Sequence, residues 1–490
     1  MTISLNVFGQ KVNDKIKLFE NDLHHWDKSI NKKWTLKQRM DFYDVNAISI
    51  AVIKDYKVEW IRAYGYADLG ENRKATVQTL FQAASISKSI NSLGILKLAE
   101  DGKVNLDNDI NLYLKTWKFP YDSLSKGKTI SIAQLLGHKA GLSTGGFGGY
   151  AHGKSLPTTV QILDGSPPAN SQAVRSIFEP GLKAQYSGGG TVISQLILEN
   201  TTGERYEDYM RKNILMPIGM GKSSFDQPPV KKDMLATGYS NGNEVVGKYH
   251  VYPEKAPAGL WSNPADLAKY IIETQLSLIG RSNKILSKEM SKKRLDSNLG
   301  VFSIDYEGTK YFAHDGQNEG FVCSYIGSYE GGNGVVVMTN GNQMRLVYEV
   351  ASSIAGLNHW KNYPLEAQKE SIYLTIRKQS LKDVDKGVEL YKMLKKDDPN
   401  GYNFSDEGEL NQLGYELLGA GKIDDAIRIF NLYVSEFPKS AGGYDSRGEV
   451  YLAKKDYLLS KKDYLKSFEL DPTNQNAREM LLKIEKLLKQ

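Results

Sequence analysis

Phe81-Gln82-Ala83-Ala84-Ser85-Ile86-Ser87-Lys88 is the stretch on which the reading of this chain turns. Its last four residues fit S-x-x-K, which sets a serine and a lysine on one face of a helix. Behind them Ile90, Leu93, Ile95, Leu96 and Leu98 predict a largely buried helix from Ser85 to Glu100, closed by Asp101-Gly102. The same tetrad recurs at Ser29/Lys32, Ser123/Lys126 and Ser125/Lys128, each time in polar, loop-like sequence. Only Ser85 opens an apolar helix, as a rigid nucleophile requires. A serine in that place also serves as a plain N-cap. Lys88 argues against that reading, because a capping box wants Glu or Gln there and a cation in the first turn opposes the helix dipole. The same opposition, together with burial, lowers the lysine pKa and suits it to act as a base. The Ser85 N–H, at the helix N-terminus, is placed to stabilise an oxyanion.

Outward from this segment, the chain has 490 residues, too many for one ordinary core, so two or more domains are expected. It is 40% hydrophobic and 24% charged with a net charge of +6. Basic and acidic residues are interleaved, as in Lys395-Lys396-Asp397-Asp398, which argues against a nucleic-acid partner. The single cysteine, Cys323, excludes an intramolecular disulfide framework and sits in an apolar run as a buried small residue. No apolar run has the length of a membrane span. The N-terminus has neither a basic n-region nor a long apolar h-region, so the expected location is cytoplasmic, or periplasmic or secreted if a signal peptide has been removed.

Two short helices are predicted at 10–26 and 33–43, then a hairpin of Val45–Ile53 and Val58–Tyr66 turning at Asp55-Tyr56. The Gly-, Pro- and Ser-rich stretch 137–170 is too long for an ordinary connection and reads as functional. Within it Gly145–Tyr150 reads either as a flap over the pocket, with Phe147 and Tyr150 as apolar contacts, or as a plain surface loop. Helices follow at about 189–201, 264–278 and 344–357, with strands at Gly300–Tyr306, Lys310–His314, Phe321–Tyr329 and Gly334–Asn340. Strands at both ends with helices between predict an α+β layer fold in which the terminal segments share one antiparallel sheet. After residue 361 the pattern changes. Gly414, Ala426, Phe430 and Pro438 are repeated by Gly448, Ser460, Tyr464 and Pro472, and 448 less 414 is 34, the period of the tetratricopeptide repeat. The expected domains are 1–361, with a helical lead-in to about 40, and an all-α repeat domain at 362–490, with a degenerate unit at 370–400 and a cap at 473–489.

The segment around Ser85 resembles the active-site segment of the class C β-lactamase-like serine hydrolases, a group that takes in penicillin-binding proteins, D-amino-acid peptidases and esterases. The resemblance runs from about residue 40 to 358. Thr129–Leu142 is similar to a helix ending in H-x-S-G-L, and Pro180-Gly181 leads into Tyr186-Ser187-Gly188. Leu215–Met220 resembles I-L-x-P-L-G-M, and Ala258–Ser262 resembles the loop bordering the pocket. His314-Asp315-Gly316 resembles H-x-G, the form many of these hydrolases carry where penicillin-recognising enzymes have K-T-G.

The resemblance implies a β-lactamase/transpeptidase-like domain that works through an acyl-enzyme without metal or cofactor. It makes Ser85 the nucleophile, Lys88 and Tyr186 the proton-transfer pair, and His314 the third catalytic group. Tyr186 is expected to be held partly ionised by the lysine, and His314 to change charge near neutral pH. The backbone N–H of Gln317 is expected at the oxyanion, and Gly316, Gly188, Trp261 and Tyr150 against the substrate. Tyr239-Ser240-Asn241 is a literal Y-S-N, but Asn241-Gly242 marks a hairpin turn, so Tyr186 is preferred. Gly188 stands where the family often has an asparagine for the substrate amide, and His314 replaces the lysine that meets a substrate carboxylate. Both departures weaken the case for β-lactam turnover. The expected partners are a small-molecule or peptide-like acyl substrate and a protein bound by the repeats. The competing reading is a weak penicillin-binding sensor whose repeats carry the purpose.

Overall fold

The computed structural model describes residues 2–25, 33–227, 229, 232–365 and 369–489. The Ser29/Lys32 tetrad and residue 26, the end of the first expected helix, lie outside them. The chain forms two compact units, Met1–Leu365 and Glu366–Gln490.

The first unit is built on a seven-stranded antiparallel sheet. The strands are β1 (Ala47–Lys54), β2 (Lys57–Asp68), β3 (Arg73–Lys74), β4 (Phe81–Gln82), β5 (Tyr239–Ser240), β6 (Asn243–Glu244), β7 (Trp261–Ser262), β8 (Phe302–Tyr306), β9 (Thr309–Asn318), β10 (Phe321–Ser328) and β11 (Gly334–Thr339). The order in the large sheet is β3-β2-β1-β11-β10-β9-β8, so the early hairpin is completed by the last strand. Asp55 and Tyr56, with φ of +51° and +62°, make the turn between β1 and β2. β10 and β11 are buried along their whole length and β1 along all but its last residue, which makes the sheet a middle layer covered on both faces. Helices Pro264–Leu278 and Met344–Leu357 pack on it.

Helix Ile86–Glu100 lies within the core, with residues 86–96 and Leu98 buried. Its interior polar groups are all engaged, and these bonds fix its position. The Ser87 hydroxyl accepts from the Leu260 N–H at 2.9 Å, and the Ser89 hydroxyl donates to the Gly300 carbonyl at 2.7 Å. Asn91 donates to the Ser194 hydroxyl at 2.9 Å. Buried polar groups that all find partners specify one placement of the helix rather than a sliding apolar face.

β9 runs on to Asn318, four residues past its expected end at His314, so His314 stands inside the strand. β8 pairs only with Thr309–Ala313, which leaves β9 from His314 onward without a partner on that side. Gly316 permits this extension: a Cβ there would lie 2.4 Å from the Ala83 carbonyl oxygen and 2.6 Å from the Cys323 sulfur. β9 therefore passes directly over the residues that precede Ser85.

The second unit is all helical, with paired helices at Glu407–Gly419 and Ile423–Glu436, Ala441–Ala453 and Tyr457–Leu470, and a final helix at Gln475–Leu487. Two more, Ile372–Lys382 and Val384–Asp397, precede them. A Cβ on Gly414 would meet the Phe430 ring at 2.4 Å, and one on Gly448 would meet the Tyr464 ring at 3.2 Å. The same small-against-aromatic contact thus closes two successive helix pairs. The C-terminal region is an all-helical array built on a repeated contact.

Candidate active site

Ser85 precedes the first turn of helix Ile86–Glu100, and its side chain makes no capping hydrogen bond. Its hydroxyl instead lies 2.9 Å from Lys88 Nζ, which also donates to the Pro257 carbonyl at 2.9 Å. Lys88 is 3% exposed, and among the described residues no carboxylate pairs with it. Burial alone lowers its pKa to about 7. The lysines of the Ser123 and Ser125 tetrads are a contrast: Lys126 and Lys128 stay exposed and pair with Glu179. Ala84, just before the nucleophile, takes φ +45°, a conformation L-residues adopt at a cost of about 1–2 kcal/mol. The helix N-terminal bonds begin with Ile86, and no backbone bond among the described residues uses the Ser85 N–H.

Tyr186 is positioned by a backbone zipper. Gln185 N–H donates to the His138 carbonyl, Gly188 N–H to Gly145 and Gly189 N–H to Thr144, at 2.7, 3.1 and 3.0 Å. Ser187 N–H donates to His138 Nδ1 at 3.2 Å, and the Ser187 hydroxyl caps helix Gly188–Thr202 by accepting from Gly190. The His138 ring lies 4.4 Å from the Tyr186 ring, and Lys88 Nζ lies 4.9 Å from the centre of the phenol. Burial first, then the charge of Asp315, pushes the Tyr186 pKa up to about 12, against the opposing effect of the Ser85 hydroxyl. The phenol is therefore protonated at neutral pH, not partly ionised as expected from the lysine alone: desolvation of a phenolate outweighs a lysine that itself sits near neutrality.

His314 is corrected in the same way. Its Nδ1 lies 2.7 Å from the Asp315 carbonyl, which can only accept, so Nδ1 carries the proton and Nε2 is a bare acceptor. Nε2 is buried without a partner. Burial, with Lys88 close by, takes the His314 pKa down to about 3, so the ring remains neutral instead of switching near pH 7. His138 is held down to about 3 by the same two causes.

These groups border a cleft of about 560 Å³. Ser85, Tyr186, His314, Gly316 and Gln317 line it, and Asp315 forms part of the same wall. Phe302, Ile304, Ala313, Met344 and Tyr348 supply its apolar surface. Three residues expected against the substrate lie elsewhere. Trp261 is fully buried in β7, edge-on to Tyr249 and Phe321 at 5.1 and 5.7 Å. Tyr150 is 5% exposed, and its hydroxyl accepts from Asn170 N–H at 3.1 Å, so it holds the Gly-rich loop rather than a ligand. Gly188 is buried, and a Cβ on it would meet the Phe147 ring at 2.9 Å. The Phe147 ring occupies the space that a side chain at 188 would need. Tyr239 also lies outside the cleft, its hydroxyl accepting from Leu69 N–H at 2.8 Å. His138, Phe302, Asp315 and Pro257 were not among the residues expected at the site. Of these His138 and Asp315 carried a signal, the one in the H-x-S-G-L-like segment and the other as the middle residue of H-x-G.

Comparison with known proteins agrees with the fold. The Beta-lactamase family model matches residues 35–354. Protein flp of Staphylococcus aureus (strain N315) is 26% identical over 313 residues, covering 60% of this chain, and the chain spans only 59% of that relative's length. The octameric penicillin-binding protein homologue from Pyrococcus abyssi superposes with a TM-score of 0.56 at 25% identity, over 71% of this chain and 80% of that one. The D-amino acid amidase from Ochrobactrum anthropi SV3 shares the fold with a TM-score of 0.55 at 21% identity, over 71% and 98% of the two chains. A β-lactamase/transpeptidase-like fold thus carries the Ser85 cleft and is followed by an all-helical region: the chain belongs to the Beta-lactamase family.

Proposed function

We propose that the first unit is a class C-like serine hydrolase that opens an ester, amide or lactam bond through an acyl-enzyme on Ser85. The observation that carries this reading is the Lys88 amine, 2.9 Å from Ser85 Oγ and buried among neutral partners. As a free amine, Lys88 accepts the Ser85 proton while still donating to the Pro257 carbonyl. Ser85 Oγ then bonds to the substrate carbonyl carbon, and the negative charge on the carbonyl oxygen is met by the N–H groups of Ser85 and Gln317. Collapse breaks the bond to the leaving group, which takes a proton from Lys88 through the protonated Tyr186. Water reverses the sequence and frees the acid. The chemistry uses only side chains and backbone of this chain. Phe147 in place of an amide at 188, and a neutral His314 in place of a lysine, favour esters and simple amides over β-lactams. For the helical unit we propose tetratricopeptide-type repeats that bind a protein segment.

A pH profile tests the assignment of the base. kcat/KM for 4-nitrophenyl hexanoate is expected to rise about tenfold per pH unit below about 7 and to level off above it, as Lys88 loses its proton. His138 and His314, near 3, and Tyr186, near 12, do not titrate in that window. Glu254, also raised by burial to about 7, does not touch Lys88, so the Glu254→Gln variant keeps the inflection. A rate independent of pH from 5 to 9, or an inflection lost in Glu254→Gln, contradicts the role of Lys88. A chromogenic cephalosporin is expected to turn over far more slowly than the ester.

A further inference from the structure

The cleft beside Ser85 is unbalanced in charge. Asp315 is its one charged lining residue besides those acting on Ser85; no lysine or arginine lines it. The Asp315 carboxylate accepts from the Tyr348 hydroxyl at 2.7 Å and has no ion-pair partner among the described residues. On the same strand, His314 presents Nε2 as a buried acceptor without a donor. Lys88 is committed to Ser85 and Pro257. Around these acceptors stand Phe302, 42% exposed, and Tyr348, 36% exposed, aromatic faces that attract a cation and repel an anion.

A substrate carboxylate entering this cleft meets an acidic group and an acceptor nitrogen, with no lysine or arginine among the lining residues to pair with it. A substrate N–H meets the Asp315 carboxylate, which holds one hydrogen bond and no ion pair among the described residues, and the unpartnered Nε2 of His314. We infer that the natural substrate carries an ammonium group that pairs with Asp315, in an otherwise apolar acyl or leaving moiety. The inference rests on the acyl-transfer reading and names its substrate class. Binding such a cation also offsets the Asp315 charge that acts on Tyr186, so recognition and proton transfer share one carboxylate.

Three 4-nitrophenyl esters of matched length test it: the 6-aminohexanoate, the hexanoate and the monoester of adipic acid. A leaving-side pair, 3-(aminomethyl)phenyl hexanoate and 3-methylphenyl hexanoate, covers the other half of the substrate. The expected result is kcat/KM for an ammonium ester above its neutral counterpart by about tenfold in at least one series, the scale of one partly exposed charge pair, with the carboxylate ester poorest. In Asp315→Asn, which keeps an acceptor for Tyr348, that ratio is expected to fall toward one. Ratios taken within one variant do not depend on how much of it folds. Turnover of all esters without a charge preference, or a preference unchanged in Asp315→Asn, overturns this inference and leaves the acyl-transfer reading intact. Absence of Ser85-dependent turnover of every ester overturns both.

Discussion

Replacement of Ser85 by alanine is expected to reduce ester hydrolysis by at least a thousandfold, to the background left by binding and the oxyanion site, with about the same loss on Lys88→Met. The two residues act as one unit, so the double variant is expected to be no worse than either alone. The physical reason is the 2.9 Å contact between Oγ and an amine whose pKa has been brought down to about 7 by burial. Lys88→Met also separates chemistry from folding. A buried amine with a folded pKa below its unfolded value of 10.5 costs stability as pH falls from about 10.5 to about 7, and the full cost remains below that. Removing it is therefore expected to raise the urea midpoint at pH 6 while activity collapses. A variant that loses activity only in proportion to lost folded protein contradicts the assignment.

The second large effect concerns stability. Arg39, 1% exposed, donates to Glu349 from Nε at 2.8 Å and from a terminal nitrogen, and Tyr43 completes the cluster by donating to the same carboxylate. The guanidinium also lies 4.7–5.0 Å from the ring centres of Trp34, Phe42 and Tyr43. This cluster joins helix Leu36–Phe42 to helix Met344–Leu357, whose N-terminal turn contributes Met344 to the cleft. Arg39→Met strands a carboxylate in the core and is expected to cost about 3–5 kcal/mol by chemical denaturation. Arg39→Met with Glu349→Met is expected to recover most of that loss, because the stranded charge is what destabilises. A cost below about 1 kcal/mol for the single change contradicts this account of how the first segment is tied down.

The elements that positioned Ser85 were legible in the sequence because their signals are local. The apolar positions of helix Ile86–Glu100, the Asn263-Pro264 start of helix Pro264–Leu278 and the glycine-marked turns of the late strands all act within a few residues. What the sequence did not show depends on contacts between distant segments. The neutrality of His314 follows from burial near Lys88 and Phe302, neither of which adjoins it in the chain. His138 reaches Tyr186 only because the loop after helix Ile132–Leu136 bonds residues 185–189. Trp261 and Tyr150, beside glycines and serines, read as pocket aromatics, yet each fills core volume that no local pattern reveals. The loss of an asparagine at 188 likewise makes sense only once Phe147 is seen in its space.

The central claim is that Ser85 becomes acylated and then released. Intact-mass analysis of the full-length protein, quenched within its first turnovers of 4-nitrophenyl hexanoate, reads this directly. The account predicts one hexanoyl adduct that maps to the Ser85 peptide, decays on further incubation and is absent from Ser85→Ala. An adduct on another residue, or the same rate of ester hydrolysis in Ser85→Ala, would contradict it; a Ser85 adduct that never decays would instead mark an acylatable sensor.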